Sequence, residues 1–124
     1  MTAPVSAKAV ANTFLGFAQS EGLSLDQMQI QKLCYFAQAW WLGNRPDNLF
    51  DDDIEAWQYG PVIRTLYNEF RQFGKDSITR MATEYQVPQG LTGIELESAL
   101  MSATPITPSV SDTGVLSYLR SVFD

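Results

Sequence analysis

The sequence predicts a mainly α-helical protein: a compact single-domain helical bundle of about five helices, with one or two short strands, over residues 1–124. Three observations carry this expectation. Apolar residues recur at helical spacing in successive stretches of the chain. Those stretches open at side chains suited to capping a helix and close at glycines. A chain of 124 residues that is 45% hydrophobic and 12% aromatic, with one cysteine, has the means to build a core without disulfides or metal. No repeat, low-complexity tract or linker divides it.

The first helix is expected over residues 6–21. Val10, Phe14, Phe17 and Ala18 fall on one face, flanked by Ala7 and Ala11, and Gly22 supplies a left-handed stop. Ser24-Leu25-Asp26-Gln27 reads as a capping box, with the Ser hydroxyl on the third amide and Gln27 reaching back. The central helix, about 25–42, carries the apolar stripe Ile30, Leu33, Cys34, Ala37, Trp40 and Trp41, widened by Tyr35 and Phe36 and closed by Gly43. Asn44-Arg45-Pro46 is a turn. Alternation from Ile54 to Gln58 predicts a short strand. Gly60-Pro61 predicts a break and a helix start, with Pro61 at the first helical position. That helix shows an apolar face of Val62, Ile63, Leu66, Tyr67, Phe70 and Phe73, an opposite face of Arg64, Asn68, Arg71 and Lys75, and a stop at Gly74. Residues 77–87 are open between a short strand and an irregular connection. Thr92-Gly93-Ile94-Glu95 is a second capping box, opening a helix to about Ala103. The two prolines of Thr104–Pro108 require a loop. Ser111 or Asp112 caps a final helix carrying Val115, Leu116, Leu119, Val122 and Phe123.

Composition narrows the chemistry. Eight basic residues against 14 acidic ones give a net charge of −6, the wrong sign for a nonspecific nucleic-acid binder. The sequence has no histidine, which removes His-based triads, the HExxH zinc motif and Cys/His zinc fingers. Cys34 sits on the central apolar stripe, where a thiol is inert, and it has no His base. Adjacent Asp51, Asp52 and Asp53 diverge along a loop, whereas a hard cation needs converging oxygens, so they read as a solvated acidic loop. Glu55, between Ile54 and Ala56, is expected to be partly buried in a salt bridge, with Lys32 as its candidate partner. Gly90-Leu91-Thr92-Gly93 lacks the Lys-Ser/Thr of a phosphate loop. Trp40, Trp41 and Trp57 read as core, with one of them suited to anchor a protein interface. No cofactor, metal or catalytic residue is expected. The N-terminus lacks the pattern of a signal peptide and no stretch reaches membrane-helix length, so a cytoplasmic setting in a bacterial or phage-infected cell is expected.

One ordered block is specific. Ile30-Gln31-Lys32-Leu33-Cys34-Tyr35-Phe36-Ala37-Gln38-Ala39-Trp40 is followed by Leu49-Phe50-Asp51 and then by Ile54-Glu55-Ala56-Trp57-Gln58-Tyr59-Gly60-Pro61-Val62. This pattern resembles the Panacea antitoxin domain, the phage-associated GepA-like or SocA-like family, over about residues 20–80. The shared positions are Gln31, Lys32, Tyr35, Glu55, Trp57, Tyr59, Gly60, Pro61 and Val62, and their roles look architectural. Residues 91–124 are expected to depart from the family, whose members usually continue into a longer helical half with a histidine, whereas this sequence has no histidine.

The resemblance implies a non-enzymatic protein-binding inhibitor that neutralises a cytoplasmic toxin by direct stoichiometric binding, with a protease as a further partner in an adaptor role. The alternative is a phage-encoded counter-defence protein (an anti-CRISPR or similar) whose acidic surface blocks a nucleic-acid-handling complex. Candidate partner-binding residues are Asp51, Asp52 and Asp53 on the acidic loop and Arg64, Arg71 and Lys75 on the following helix.

Overall fold

The structure is a computed structural model that describes residues 4–58, 60–85, 93–95 and 105–124. It is mainly helical, as expected. Helix α1 spans Ala7–Ser20, α2 Gln27–Asn44, α3 Arg64–Phe70 and α4 Thr113–Phe123. Strands β1 (Ile54–Trp57) and β2 (Gly60–Ile63) form one antiparallel pair, and β3 (Glu84–Tyr85) and β4 (Pro105–Ile106) form a second. The helix expected from Thr92 is seen only at 93–95; the rest of it lies outside the described residues.

Local chemistry accounts for the helix ends. The Ser6 hydroxyl accepts from the Ala9 amide at 3.1 Å to start α1. Gly22, at φ +70°, ends it: the Leu23 amide donates to the Ala18 carbonyl at 2.8 Å and the Gly22 amide to that of Gln19 at 3.2 Å, the paired bonds of a Schellman stop. At α2 the capping box lies two residues beyond the one expected. The Asp26 carboxylate accepts from the Gln29 amide, and the Gln29 side chain accepts from the Asp26 amide, both at 2.9 Å. Ser24 is excluded because the chain is still extended there: the next residue, Leu25, accepts a backbone bond from Ile78, and Asp26 bridges to Ser77. Gln27 instead donates to the Gly74 carbonyl at 2.9 Å. Asp112 caps α4 through the Val115 amide at 3.0 Å.

Pro61 also departs from expectation. It lies in β2 opposite Ala56, and α3 does not begin until Arg64. The fixed φ of proline suits an edge strand as well as a helix start. Tertiary contact selects the strand, because Gln31 of α2 takes both backbone groups of Ile63: its carbonyl oxygen accepts from the Ile63 amide at 2.8 Å and its amide donates to the Ile63 carbonyl at 3.1 Å. Likewise β4 lies inside the proline-rich loop, paired in register with β3.

The core forms where α1 and α2 pack against α3 and α4. Phe14, Ile30, Leu49, Phe50, Leu66 and Phe70 are fully buried. Phe14 stacks on Phe123 at 6.2 Å, and Trp41 meets Tyr118 edge-on at 5.1 Å, with the Tyr118 hydroxyl donating to the Ala37 carbonyl at 2.6 Å. Two of the aromatics assigned to the α2 stripe are outside the core: Trp40 is 65% exposed and Phe36 53%. Leu33 is half-buried at its edge. At 100° per residue, Ile30, Cys34, Ala37 and Trp41 share one side of the helix, and Phe36 and Trp40, four apart, share another.

Two buried side-chain amides attach irregular chain to the helices. Gln38 accepts from the amides of Leu49 (3.0 Å) and Phe50 (3.2 Å) and donates to the Phe50 carbonyl at 2.8 Å. Asn12 accepts from the Ala82 amide at 2.7 Å and donates to the carbonyls of Ala82 (3.0 Å) and Pro108 (2.8 Å). Glu69 of α3 ties the same 80–83 segment to α1, meeting Lys8 at 3.5 Å, Arg80 at 2.9 Å and the Thr83 amide at 3.1 Å.

Gln38→Leu is isosteric enough to fill the space but strips three buried backbone groups of their partner. At about 1–3 kcal/mol per unsatisfied group, with partial relaxation, a loss of about 3 kcal/mol or more in urea unfolding is expected. Burial alone would raise the Glu69 pKa, but bonds from Arg80 and Thr83 and the charges of Lys8 and Arg80 outweigh it and hold the carboxyl below its ordinary value. Its stabilisation is therefore present above the unfolded-state pKa of about 4.3 and is lost as pH falls through the lower folded-state value. Glu69→Gln is expected to lower stability at neutral pH and to reduce the further loss between about pH 5 and 3 in pH-resolved urea melts.

Candidate functional site

The acidic loop is built differently from its uniform sequence. Asp52 is half-buried, and its carboxylate accepts from the Ala7 amide at 3.0 Å, at the N-terminal end of α1, where a negative charge is favourable. It therefore belongs to the fold. Asp51 accepts from the Asn48 side chain at 2.9 Å and is exposed, and Asp53 is exposed. The loop is positioned by Gln38 and by Val5, whose amide donates to the Leu49 carbonyl at 2.7 Å.

The hairpin β1–β2 and α3 bring together Glu55, Trp57 and Arg64, with Tyr67 added. Trp57 Nε1 donates to Glu55 at 2.9 Å, Arg64 meets the same carboxylate oxygen at 3.4 Å, and the guanidinium lies 5.4 Å from the Trp57 ring centre. Tyr67 stands edge-on to Trp57 at 4.8 Å. The expected Lys32–Glu55 pair is not formed: Lys32 is exposed on α2, while the Glu55 carboxylate is held by its own strand neighbour and Arg64. Gly60 holds φ +118° at the start of β2, a conformation that a side chain would strain. Val62 lies opposite Glu55 in the register, and Tyr35 lies half-buried against Phe36 at 6.1 Å. Tyr59 lies outside the described residues. Arg71 and Lys75 are exposed near the end of α3.

The outer face of α2 carries residues that the sequence reading placed elsewhere. Met28, Phe36 and Trp40 are exposed on it, and Lys32 is the only charged side chain in the whole helix. The signal was present in the sequence: 18 residues with one charge are apolar on more than the one side a surface helix buries.

Cys34 is fully buried, and burial, reinforced by the Asp52 charge, pushes its thiol well above the ordinary range, so no nucleophilic thiolate is available there. Among the described residues no group of three or more Cys, Asp or Glu is arranged to hold a metal ion. A shallow groove of about 360 Å³ between the end of α1 and the 78–81 segment is lined by Leu15, Ala18, Leu25, Ile78 and Met81, with Arg80 as its one charge. Arg80 is already engaged by Glu69. No described helix is long and apolar enough to cross a membrane.

The described residues thus form a small helical scaffold that presents exposed aromatic side chains and ordered ion pairs. The family model described as antitoxin SocA-like, Panacea domain, matches residues 30–110, more than half of the chain. The chain belongs to that family. It is similar to Antitoxin SocA of Caulobacter vibrioides (strain NA1000 / CB15N), with 33% identity over 87 residues that make up 70% of this chain and 46% of the relative. The chain thus spans under half the length of the curated relative it matches. No solved structure gives a significant match.

The different roles of neighbouring carboxylates are directly measurable. Asp52→Ala is expected to cost about 1 kcal/mol in thermal or urea unfolding, the usual value of a helix N-terminal acceptor, whereas Asp53→Asn should leave stability within about 0.5 kcal/mol of wild type.

Proposed function

We propose that this chain is a non-enzymatic inhibitor that neutralises a toxin by direct stoichiometric binding, in the cytoplasm of a bacterial or phage-infected cell. The observation that carries the reading is the outer face of α2, where Phe36 and Trp40 stand 53% and 65% exposed on a helix with a single charged residue. Interface cores are poor in charge and rich in aromatic residues and Met, and a few aromatic anchors supply most of the binding energy. Family membership and the curated relative's name, Antitoxin SocA, support a toxin as the partner.

The exposed carboxylates Asp47, Asp51 and Asp53 follow α2 in the chain and supply a field that draws in a basic partner. Arg64, Arg71 and Lys75 supply a rim of the other sign. Handing the bound toxin to a protease would add a second partner to this scheme without changing the first contact.

The test is affinity capture from the native host, followed by native mass spectrometry of the reconstituted pair. A toxin bound at a fixed ratio is expected, and its growth inhibition should be reversed in proportion to that ratio. Phe36→Ala with Trp40→Ala should weaken binding by about thirtyfold or more while leaving the melting temperature near wild type. Charge reversal at Asp51 and Asp53 should slow association and flatten its salt dependence. Capture of a nucleic-acid-handling defence complex in place of a toxin would overturn this reading in favour of counter-defence. Wild-type affinity in the Phe36/Trp40 variant would remove α2 as the contact.

A further inference from the structure

The two edges of the β1–β2 hairpin are not equivalent. The register pairs Ile54 with Ile63, Glu55 with Val62, Ala56 with Pro61 and Trp57 with Gly60. Backbone groups of an antiparallel strand point alternately toward the partner strand and away from it. Pro61 has no amide hydrogen to donate, so Ala56↔Pro61 is a non-hydrogen-bonded pair, and by alternation so is Ile54↔Ile63. The Ile63 groups confirm this phase, because both point away from β1 and are taken by the Gln31 side chain. The outer edge of β2 is therefore closed twice, by a proline and by a glutamine clamp.

The outer edge of β1 is left open. By the same alternation the amide and carbonyl groups of Ile54 and Ala56 point outward. The sheet has two strands, and among the described residues nothing bonds to those groups. Ala56 is exposed, the strand carries no proline or lysine, and among the described residues no element covers its outer edge; its only charge, Glu55, is engaged by Trp57 and Arg64. The strand is also held in place, since the Glu55 and Trp57 side chains are fixed to each other and to Arg64. Between Arg45 and Arg64 the chain has no basic residue, and the exposed Asp51 and Asp53 immediately precede β1.

We infer that β1 is a docking edge that takes an extended, basic segment of the partner protein as a third strand. Main-chain bonds to Ile54 and Ala56 supply the attachment, and Asp51 and Asp53 select lysine or arginine side chains beside it. The inference rests on the partner being a protein, as proposed above, and names the part of that partner engaged here.

The experiment uses the full chain and a synthetic hexapeptide alternating lysine and valine, followed by amide NMR. The peptide is expected to shift the Ile54 and Ala56 amide signals and slow their hydrogen exchange. A counterpart with glutamate in place of lysine should bind at least about tenfold more weakly, the scale of a lost charge-assisted contact. Ala56→Pro removes an outward amide without touching the β1–β2 bonds and should weaken binding about tenfold, while Ala56→Ser should not. Should Ala56→Pro fail to fold, the wild-type chain with a backbone N-methylated lysine–valine peptide gives the same comparison and should show the same loss. The inference is overturned if the lysine–valine peptide leaves Ala56 unshifted at millimolar concentration, if the glutamate peptide binds equally well, or if the proline and N-methyl comparisons show no loss. Because the peptide probe involves neither the toxin nor α2, its failure leaves the proposed toxin contact separately testable through Phe36 and Trp40.

Discussion

Three side-chain amides hold this fold together. Asn12, Gln31 and Gln38 each accept from a backbone amide and donate to a backbone carbonyl of a segment that is not helical. A buried irregular chain must satisfy its polar groups, because an unpaired amide or carbonyl away from water costs more than a made bond contributes. Helices cannot satisfy those groups with their own backbones, which are already paired internally. A carboxamide can, since it carries a donor and an acceptor on one planar end. Through these residues α1 holds the 82 and 108 segments, and α2 holds both the 49–50 segment and β2. The positions of the acidic loop and the hairpin follow from where those three amides stand.

Charge is divided between architecture and surface by the same logic. Asp52 serves the first amide of α1, Glu69 binds Lys8, Arg80 and the Thr83 amide, and Glu55 holds Trp57 and Arg64. Asp51 and Asp53, beside Asp52 in the chain, remain exposed. A run of three aspartates thus contains one helix-terminal acceptor and two surface charges. Their separation depends on which carboxylate the Gln38-held loop turns toward α1.

The same frame leaves two different surfaces exposed among the described residues. One is the aromatic outer face of α2, whose inner face is fixed by the core. The other is the β1 edge, whose companion strand is clamped to α2 through Gln31. Both surfaces depend on α2, and a change that moved this helix would alter them together.

The sequence by itself determined the helical class, the positions of α1, α2 and α4, the Gly22 stop, the capping of α4 at Ser111 or Asp112, the buried state of Cys34 and the family. These are local or nearly local properties: helical period, cap chemistry and glycine conformation act within a few residues, and the motif block is contiguous. Tertiary structure decided the rest. Apolar residues occupy more than one side of α2, so its own pattern did not say which side would be buried; packing of α1 and α4 on the Trp41 side left Phe36 and Trp40 outside. Pro61 suits a helix start and an edge strand equally, and Gln31, bonded to Ile63 across 32 residues of sequence, selected the strand. Gln38 and Asn12 look like ordinary polar positions in sequence because their partners lie 11 to 96 residues distant, and such partners become neighbours only when the chain folds.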